Sequence, residues 1–321
     1  MSGISLLQAR IAMLAMALVG FSVTALSADN PPARPVKTAP GGLSAAQIAD
    51  RNMAARGGLQ AWRALQTQSI AGHMDAGTGN SYAESLRVAR GTTGAAARKE
   101  RAAANSKTGA EQVQLPFRLE LKQPNKSHLE IDFAGKVALQ VYDGKNGWKV
   151  RPFLNRNEVE PFTEDEAKAQ STVEDMRGTL VDYAAKGTTL VLEGTEAVEG
   201  HNAYKLKLTM KNGDVKHVWI DAQSFLDVKV DGIPRMFDGH VRNVWIYQRD
   251  FHNVKGLMMP FVYETALEGV PHTHKMTLES VTVNQPIDDS RFAKPQPSAQ
   301  PTPAAAPRPA SPPQAAAPAV R

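Results

Sequence analysis

Residues 114–153 constrain this chain more than any other stretch. Leu115, Phe117, Leu119 and Leu121 alternate with Pro116, Arg118, Glu120 and Lys122. An apolar residue at every second position puts one face of a strand in a core and leaves the other wet. Residues 123–126, Gln-Pro-Asn-Lys, break the run with turn-forming chemistry. Leu129, Ile131 and Phe133 then repeat the alternation against His128, Glu130 and Asp132. A turn at Ala134-Gly135-Lys136 leads to Leu139 and Val141. A second turn, over 143–147, holds Asp-Gly and Asn-Gly, dipeptides that tolerate positive φ. Trp148 and Val150 restart the pattern. The reading is an antiparallel meander with these apolar residues on one face. A greasy face of that size must be covered by helices, by a second sheet or by a ligand.

Three segments separate from the folded part on composition. Residues 1–28 read as a secretory signal: Arg10 precedes an uncharged apolar run from Ile11 to Val23, and small residues follow at 25–28. A run of about 13 residues is short for a membrane span. The mature chain is therefore expected in the periplasm, exported by a cleaved signal and not integral to the membrane. Residues 29–43 form a Pro-rich linker with Pro31, Pro32, Pro35 and Pro40. Residues 296–321 are a disordered tail of Pro, Ala, Gln and Ser. The chain has no cysteine, so it has no disulfide, thiolate metal site or lipid-modified N-terminal cysteine. An exported domain without disulfides must stand on its hydrophobic core, and residues 44–295 are enough for one large all-β domain. The net charge of +5 is scattered along alternating strands, not clustered around aromatics, which argues against nucleic acid.

Within 44–295, Ser44 and Gln47 make a capping box ahead of a helix carrying Ile48, Ala49 and Met53. Gly57-Gly58 interrupts it, and Leu59, Trp62 and Leu65 restart a short helical stripe. That stripe plugs one end of the sheet, or Trp62 lines a cavity; both stay open here. Residues 69–75 read as the first strand. From 76 to 112 the pattern disappears into Gly, Ala, Ser, Thr, Arg and Lys, as in a disordered insertion within a hairpin. Thr163 and Glu166 box a second helix start. Leu180, Val181 and Tyr183 suggest another short helix, ended by Lys186-Gly187. These helices cover the apolar face, as a lid or as a permanent roof. Strands then recur at hairpin spacing to residue 284. The fold class is mainly β with a few helices: one large curved antiparallel sheet or an open barrel.

No nucleophile elbow, zinc-protease helix, Walker loop or dinucleotide fingerprint occurs. His272-Thr273-His274 would point two imidazoles to one face of a strand, but no third ligand stands nearby. Neither an enzyme nor a cofactor nor a metal is expected. What remains is the apolar face, suited to holding an acyl chain. Its candidate lining is Phe117, Leu119, Leu121, Leu129, Ile131, Phe133, Leu139, Val141 and Trp148, with Trp62, Met176, Leu180 and Tyr183 from the helices.

Several short motifs carry a family resemblance: 54–62, Ala-Ala-Arg-Gly-Gly-Leu-Gln-Ala-Trp, followed by the strand start Ser69-Ile70-Ala71-Gly72; Leu115-Pro116-Phe117; Tyr142-Asp143-Gly144 before Gly147-Trp148; and the closing Phe292-Ala293-Lys294-Pro295. Together, over roughly residues 44–295, these resemble periplasmic proteins of the outer-membrane lipoprotein-sorting, LolA-like superfamily. The resemblance implies an incomplete, half-open barrel with a helical lid over an apolar cavity. It implies carriage or sensing of lipoprotein acyl chains across the Gram-negative periplasm. The 76–112 insertion and the Pro/Ala tail are extra, and the carrier's functional arginine has no counterpart here. The chain thus looks like a paralogue, not the carrier itself. Its expected partners are acyl chains of lipid or lipoprotein. The alternative is an interaction or sensor module of the cell envelope, with a dry core and a protein partner.

Overall fold

The computed structural model describes residues 42–78, 112–171, 176–237, 239–270 and 274–296. The expected signal, most of the linker, most of the insertion and nearly all of the tail lie outside these residues, as does His272. The chain runs outward through a first meander: β1 (Thr67–Thr78), β2 (Gln112–Lys122), β3 (Lys126–Phe133), β4 (Lys136–Tyr142), β5 (Gly147–Arg151) and β6 (Arg156–Pro161). It returns through β7 (Thr189–Val198), β8 (His201–Thr209), β9 (Val215–Asp221), β10 (Asp227–Asp231), β13 (Val244–Val254), β14 (Leu257–Leu267) and β15 (His274–Val283). A separate small hairpin, β11 (Arg235–Phe237) and β12 (His240–Arg242), is inserted on the way.

The thirteen strands form one curved antiparallel sheet in the order β6-β5-β4-β3-β2-β1-β15-β14-β13-β10-β9-β8-β7. The first and last strands pair at its centre, and β6 and β7 are its two edges. The sheet therefore does not close into a barrel. To pass from one edge to the other, the chain runs through helix α3 (Glu164–Ser171) and turns over 176–187.

The helices begin where their caps dictate. Gln47 N donates to Ser44 Oγ at 3.2 Å, and Ser44 N donates to the Gln47 side chain at 2.8 Å, which starts α1 (Ala45–Ala55). The same reciprocal pair, between Thr163 and Glu166, starts α3. Gly57 then lets the chain turn into α2 (Leu59–Arg63): its φ is 108°, and a Cβ there would sit 1.9 Å from the carbonyl oxygen of Gly256. This close approach seats both helices on the β13–β14 turn, where Met258 N donates to Arg56 O at 3.0 Å.

Two core clusters form on the inner, helix-covered face. One packs Ile48, Trp62, Leu65 and Val181 against Leu192, Leu206, Leu208, Val218 and Ile220 of β7–β9. The other is the meander core of Phe117, Leu119, Leu129, Ile131 and Phe133, capped by Phe153 and Leu154 from a 3-10 turn over Pro152–Leu154. The Phe133 and Phe153 rings stack with centroids 4.2 Å apart. Removing a side chain of this size from water contributes about 1.5–3 kcal/mol.

Strand register corrects the expectation that all the meander's apolar residues share one face. The three-residue β2–β3 loop pairs Lys122 with Lys126, so odd positions face odd positions and Leu119 lies beside Leu129. The loop at Ala134-Gly135 is two residues long and pairs Phe133 with Lys136, odd with even. Ala138 and Gln140 therefore join Ile131 and Leu129 on the inner face, whereas Leu139 and Val141 pair with Glu130 and His128 on the outer one. Trp148 pairs with Val141 and follows it outward. The outer face is not left wet here. After β15 the chain crosses β3 with Arg291 reaching Glu120 and Glu130 and with Phe292 buried. The expected helix at 180–184 is likewise replaced by turns: Asp182 takes φ +55°, which no α-helix accommodates.

Candidate functional site

Between the two core clusters, sheet and cover separate to leave a cavity of about 280 Å³. Its floor draws on Ile70, Leu119, Leu121 and Leu278 from the centre of the sheet, and on Val230, Val244, Ile246 and Met259 from the return half. Met176, Gly178, Thr179 and Leu180 roof it, and Arg56 and Trp62 close it toward the helices. Register explains the floor. Ile70 pairs with Leu119 and with Val281, and Val230 pairs with Ile246 and with Val218, so each row of partners points inward.

Five of the expected lining residues border this space: Trp62, Leu119, Leu121, Met176 and Leu180. Phe117 and Phe133 are buried in the meander core instead. Leu129, Ile131 and Leu139 border a smaller void of about 40 Å³ beneath Phe153, Leu154 and Glu166. Val141 and Trp148 border neither space. Tyr183 packs against the helix-side core. The residues that sequence reasoning missed come mainly from β10, β13 and β14. Their signal was period-two alternation, Val244-Ile246-Gln248 and Met259-Phe261-Tyr263, interrupted by polar or amphipathic side chains.

The helix-side wall is built around a buried cation. Arg56 follows the last residue of α1, and its Nε lies 3.5 Å from the Asp227 carboxylate. Its Nη2 donates to Arg177 O at 3.0 Å, and its guanidinium lies 4.1 Å over the Trp62 ring. The Trp62 indole N–H in turn donates to Arg56 O at 2.9 Å. Asn52 Nδ2 donates to Asp227 Oδ1 at 3.2 Å and to Phe225 O at 2.8 Å. A buried charge persists when it is paired and hydrogen-bonded. Here the pairing also fixes the roof: at Gly178, with φ 95°, a Cβ would stand 3.2 Å from the Arg56 guanidinium.

Further along the floor, Tyr263 lies deep in the fold but keeps accessible surface by facing the cavity. Burial pushes its phenol up to about 12, with the Asp227 charge raising it and the Arg56 charge opposing. Lys122, Lys126, Lys216 and His217 also border the space. Of these, Lys122 and Lys126 pair with Asp289 at 2.9 and 3.0 Å, and His217 Nδ1 lies 2.7 Å from Asp231. The arrangement is an apolar chamber with a neutralised ion pair at one end. Among the described residues no group of three His, Asp or Glu side chains is placed to hold a metal. No described helix is long and apolar enough to cross a membrane.

No protein-family model and no curated protein matches the chain. Among solved structures it is similar to a LolA superfamily protein of Nitrosomonas europaea, at 11% identity and a TM-score of 0.47, covering 78% of this chain and 98% of that one. It is similar to a DUF1329 family protein of Desulfovibrio piger at 12% identity and a TM-score of 0.46, covering 78% and 97%. A Vibrio parahaemolyticus domain assigned to outer-membrane lipoprotein sorting aligns at 11% identity with a TM-score of 0.44, covering 77% and 95%.

Proposed function

We propose that this protein is a non-enzymatic, periplasmic binding or carrier protein that holds the acyl chains of a lipid or lipoprotein. The observation that carries this reading is the apolar chamber between the sheet and the 176–187 roof. Its Ile, Leu, Val and Met side chains offer an apolar surface on which a hydrocarbon chain can lie, with release of water. Each methylene buried there contributes about 0.8 kcal/mol. Nothing in the reading calls for a cofactor, a metal or nucleic acid.

Native mass spectrometry with lipid extraction, on protein purified from the periplasm, tests the proposal. The expected result is a co-purifying acylated species that disappears from an Ile246→Phe variant, whose larger ring narrows the chamber. A wild-type protein that carries no lipid and also fails to take up fatty acyl probes overturns it and favours an envelope interaction module.

A further inference from the structure

Among the polar side chains that line the chamber, three uncharged ones stand beside its apolar floor residues. Gln248 of β13 is the direct cross-strand partner of Tyr263 of β14, and both line the cavity. Gln68 of β1 lines it as well, and its amide N–H₂ donates only to the Met259 sulfur, at 3.6 Å. A thioether is a weak acceptor. Among the described residues, neither the Tyr263 hydroxyl nor the Gln248 amide has a hydrogen-bond partner. A bare hydrocarbon chain lying on this patch would strip it of water and leave it unpaired. The penalty would be about 1–3 kcal/mol for each group. The patch therefore calls for a ligand that brings a polar atom to this depth.

The charges nearby decide which polar atom. Arg56 is already matched by Asp227, so the patch has donors to offer but no uncommitted guanidinium. A carboxylate buried there would have to compete for cations already paired, Arg56 with Asp227 and Lys122 and Lys126 with Asp289, whereas a neutral carbonyl oxygen accepts from a phenol and an amide without one. We infer that the chamber recognises a neutral acyl carbonyl, of an ester or an amide, through the adjacent pair Tyr263 and Gln248. This inference rests on reading the chamber as an acyl site, and it adds the chemical class of the group at the head of the chain.

The test uses the full chain with four ten-carbon ligands: methyl decanoate, N-methyldecanamide, decanoate and decane. Each is delivered from cyclodextrin, and binding is read by displacement of an environment-sensitive fluorophore. The ester, the amide or both should bind about ten-fold tighter than decane, and tighter than decanoate. Whichever of the two is preferred names the source of the carbonyl. In a Tyr263→Phe, Gln248→Leu double variant that preference over decane should collapse to about parity. The ratio is the readout, so a general loss of affinity from misfolding is not mistaken for it. A wild-type protein that binds decane as well as the ester and amide overturns the inference alone, as does a double variant that keeps the preference. Decanoate binding tightest overturns the neutral-carbonyl assignment. Failure of all four ligands to bind overturns the acyl-chamber reading itself.

Discussion

The two halves of the sheet bury their inner faces in different ways. In the meander half, Leu129, Ile131 and Phe133 share one core cluster with Phe153 and Leu154, and the void bordered there is about 40 Å³. In the return half, the same kind of inward rows face a chamber of about 280 Å³, and they include Gln248 and Tyr263. Over β3 the alternation between apolar and charged residues is clean, and Leu129, Ile131 and Phe133 are buried. The return half alternates with polar interruptions, and it stays open. Clean amphipathic periodicity marks residues whose partners lie within the chain, whereas polar residues on an inner row need a polar partner: Glu166 for Lys149 in the meander and, on the proposed reading, a ligand for Gln248 and Tyr263.

The largest effect expected is on the dry side. Phe153 is 1% exposed and stacks on Phe133, so Phe153→Ala should lower the unfolding free energy by about 3–5 kcal/mol in a denaturant titration. A loss near that expected of an exposed residue would show that the meander core is looser than its geometry and would erase the contrast. Asp227→Ala tests the boundary between the halves. It leaves the buried Arg56 guanidinium without its carboxylate and should cost about 3 kcal/mol by the same titration. Asp227→Asn, which keeps the size and an acceptor for Asn52, should cost less; equal losses would assign the role to the charge alone and not to packing or the hydrogen bond.

The fold was legible because period two, turn dipeptides and capping boxes are local signals. Ser44-Gln47 and Thr163-Glu166 announced α1 and α3 outright. The site was legible only in part. Assigning Leu139, Val141 and Trp148 to the inner face required knowing the loop lengths: the two-residue loop at 134–135 exchanges odd for even, and no residue-by-residue alternation reports that. Arg56 was hidden for another reason. It sits 171 residues from Asp227, and the sheet's central pairing of first and last strands is what brings the distant segments together. The turns at 176–187 follow helix-like spacing, but tertiary placement of Gly178 against Arg56 and the positive φ of Asp182 override it.

A smaller, pH-dependent effect belongs to the meander's outer face. Glu130 is held down at about 2, first by its contact with His128 and then by Arg291, against burial, which raises it. The His128 Nε2 atom lies 3.1 Å from the carboxylate. A depressed folded-state value means that the stabilisation is complete above the unfolded value of about 4.3 and drains away as pH falls toward 2. Thermal midpoints of wild type and Glu130→Gln should therefore differ at pH 6 and converge between about pH 4.3 and 2. A gap that persists unchanged across that window would remove Glu130 from the account of why the last segment stays on the meander. On the helix-covered side, Ser44→Ala should cost about 1 kcal/mol through loss of the α1 cap.

The smallest effect is the most discriminating. Ile246 faces the chamber, so part of its side chain already lacks packing partners. A buried Ile→Ala change ordinarily costs about 2–5 kcal/mol, partly because it opens a cavity. At Ile246 the cavity exists beforehand, and much of that second contribution has already been incurred. Ile246→Ala should cost about 1 kcal/mol, well below Ile131→Ala in the dry half, where Ile131 is packed against Phe117. A saturating apolar ligand should narrow the difference, because it contacts position 246 and not 131: the Ile131 variant keeps the whole of the ligand's stabilisation, whereas the Ile246 variant lacks the side chain that would have met the ligand. Equal costs at the two positions, with no differential response to ligand, would mean that the return half closes up in solution and that the two halves are packed alike.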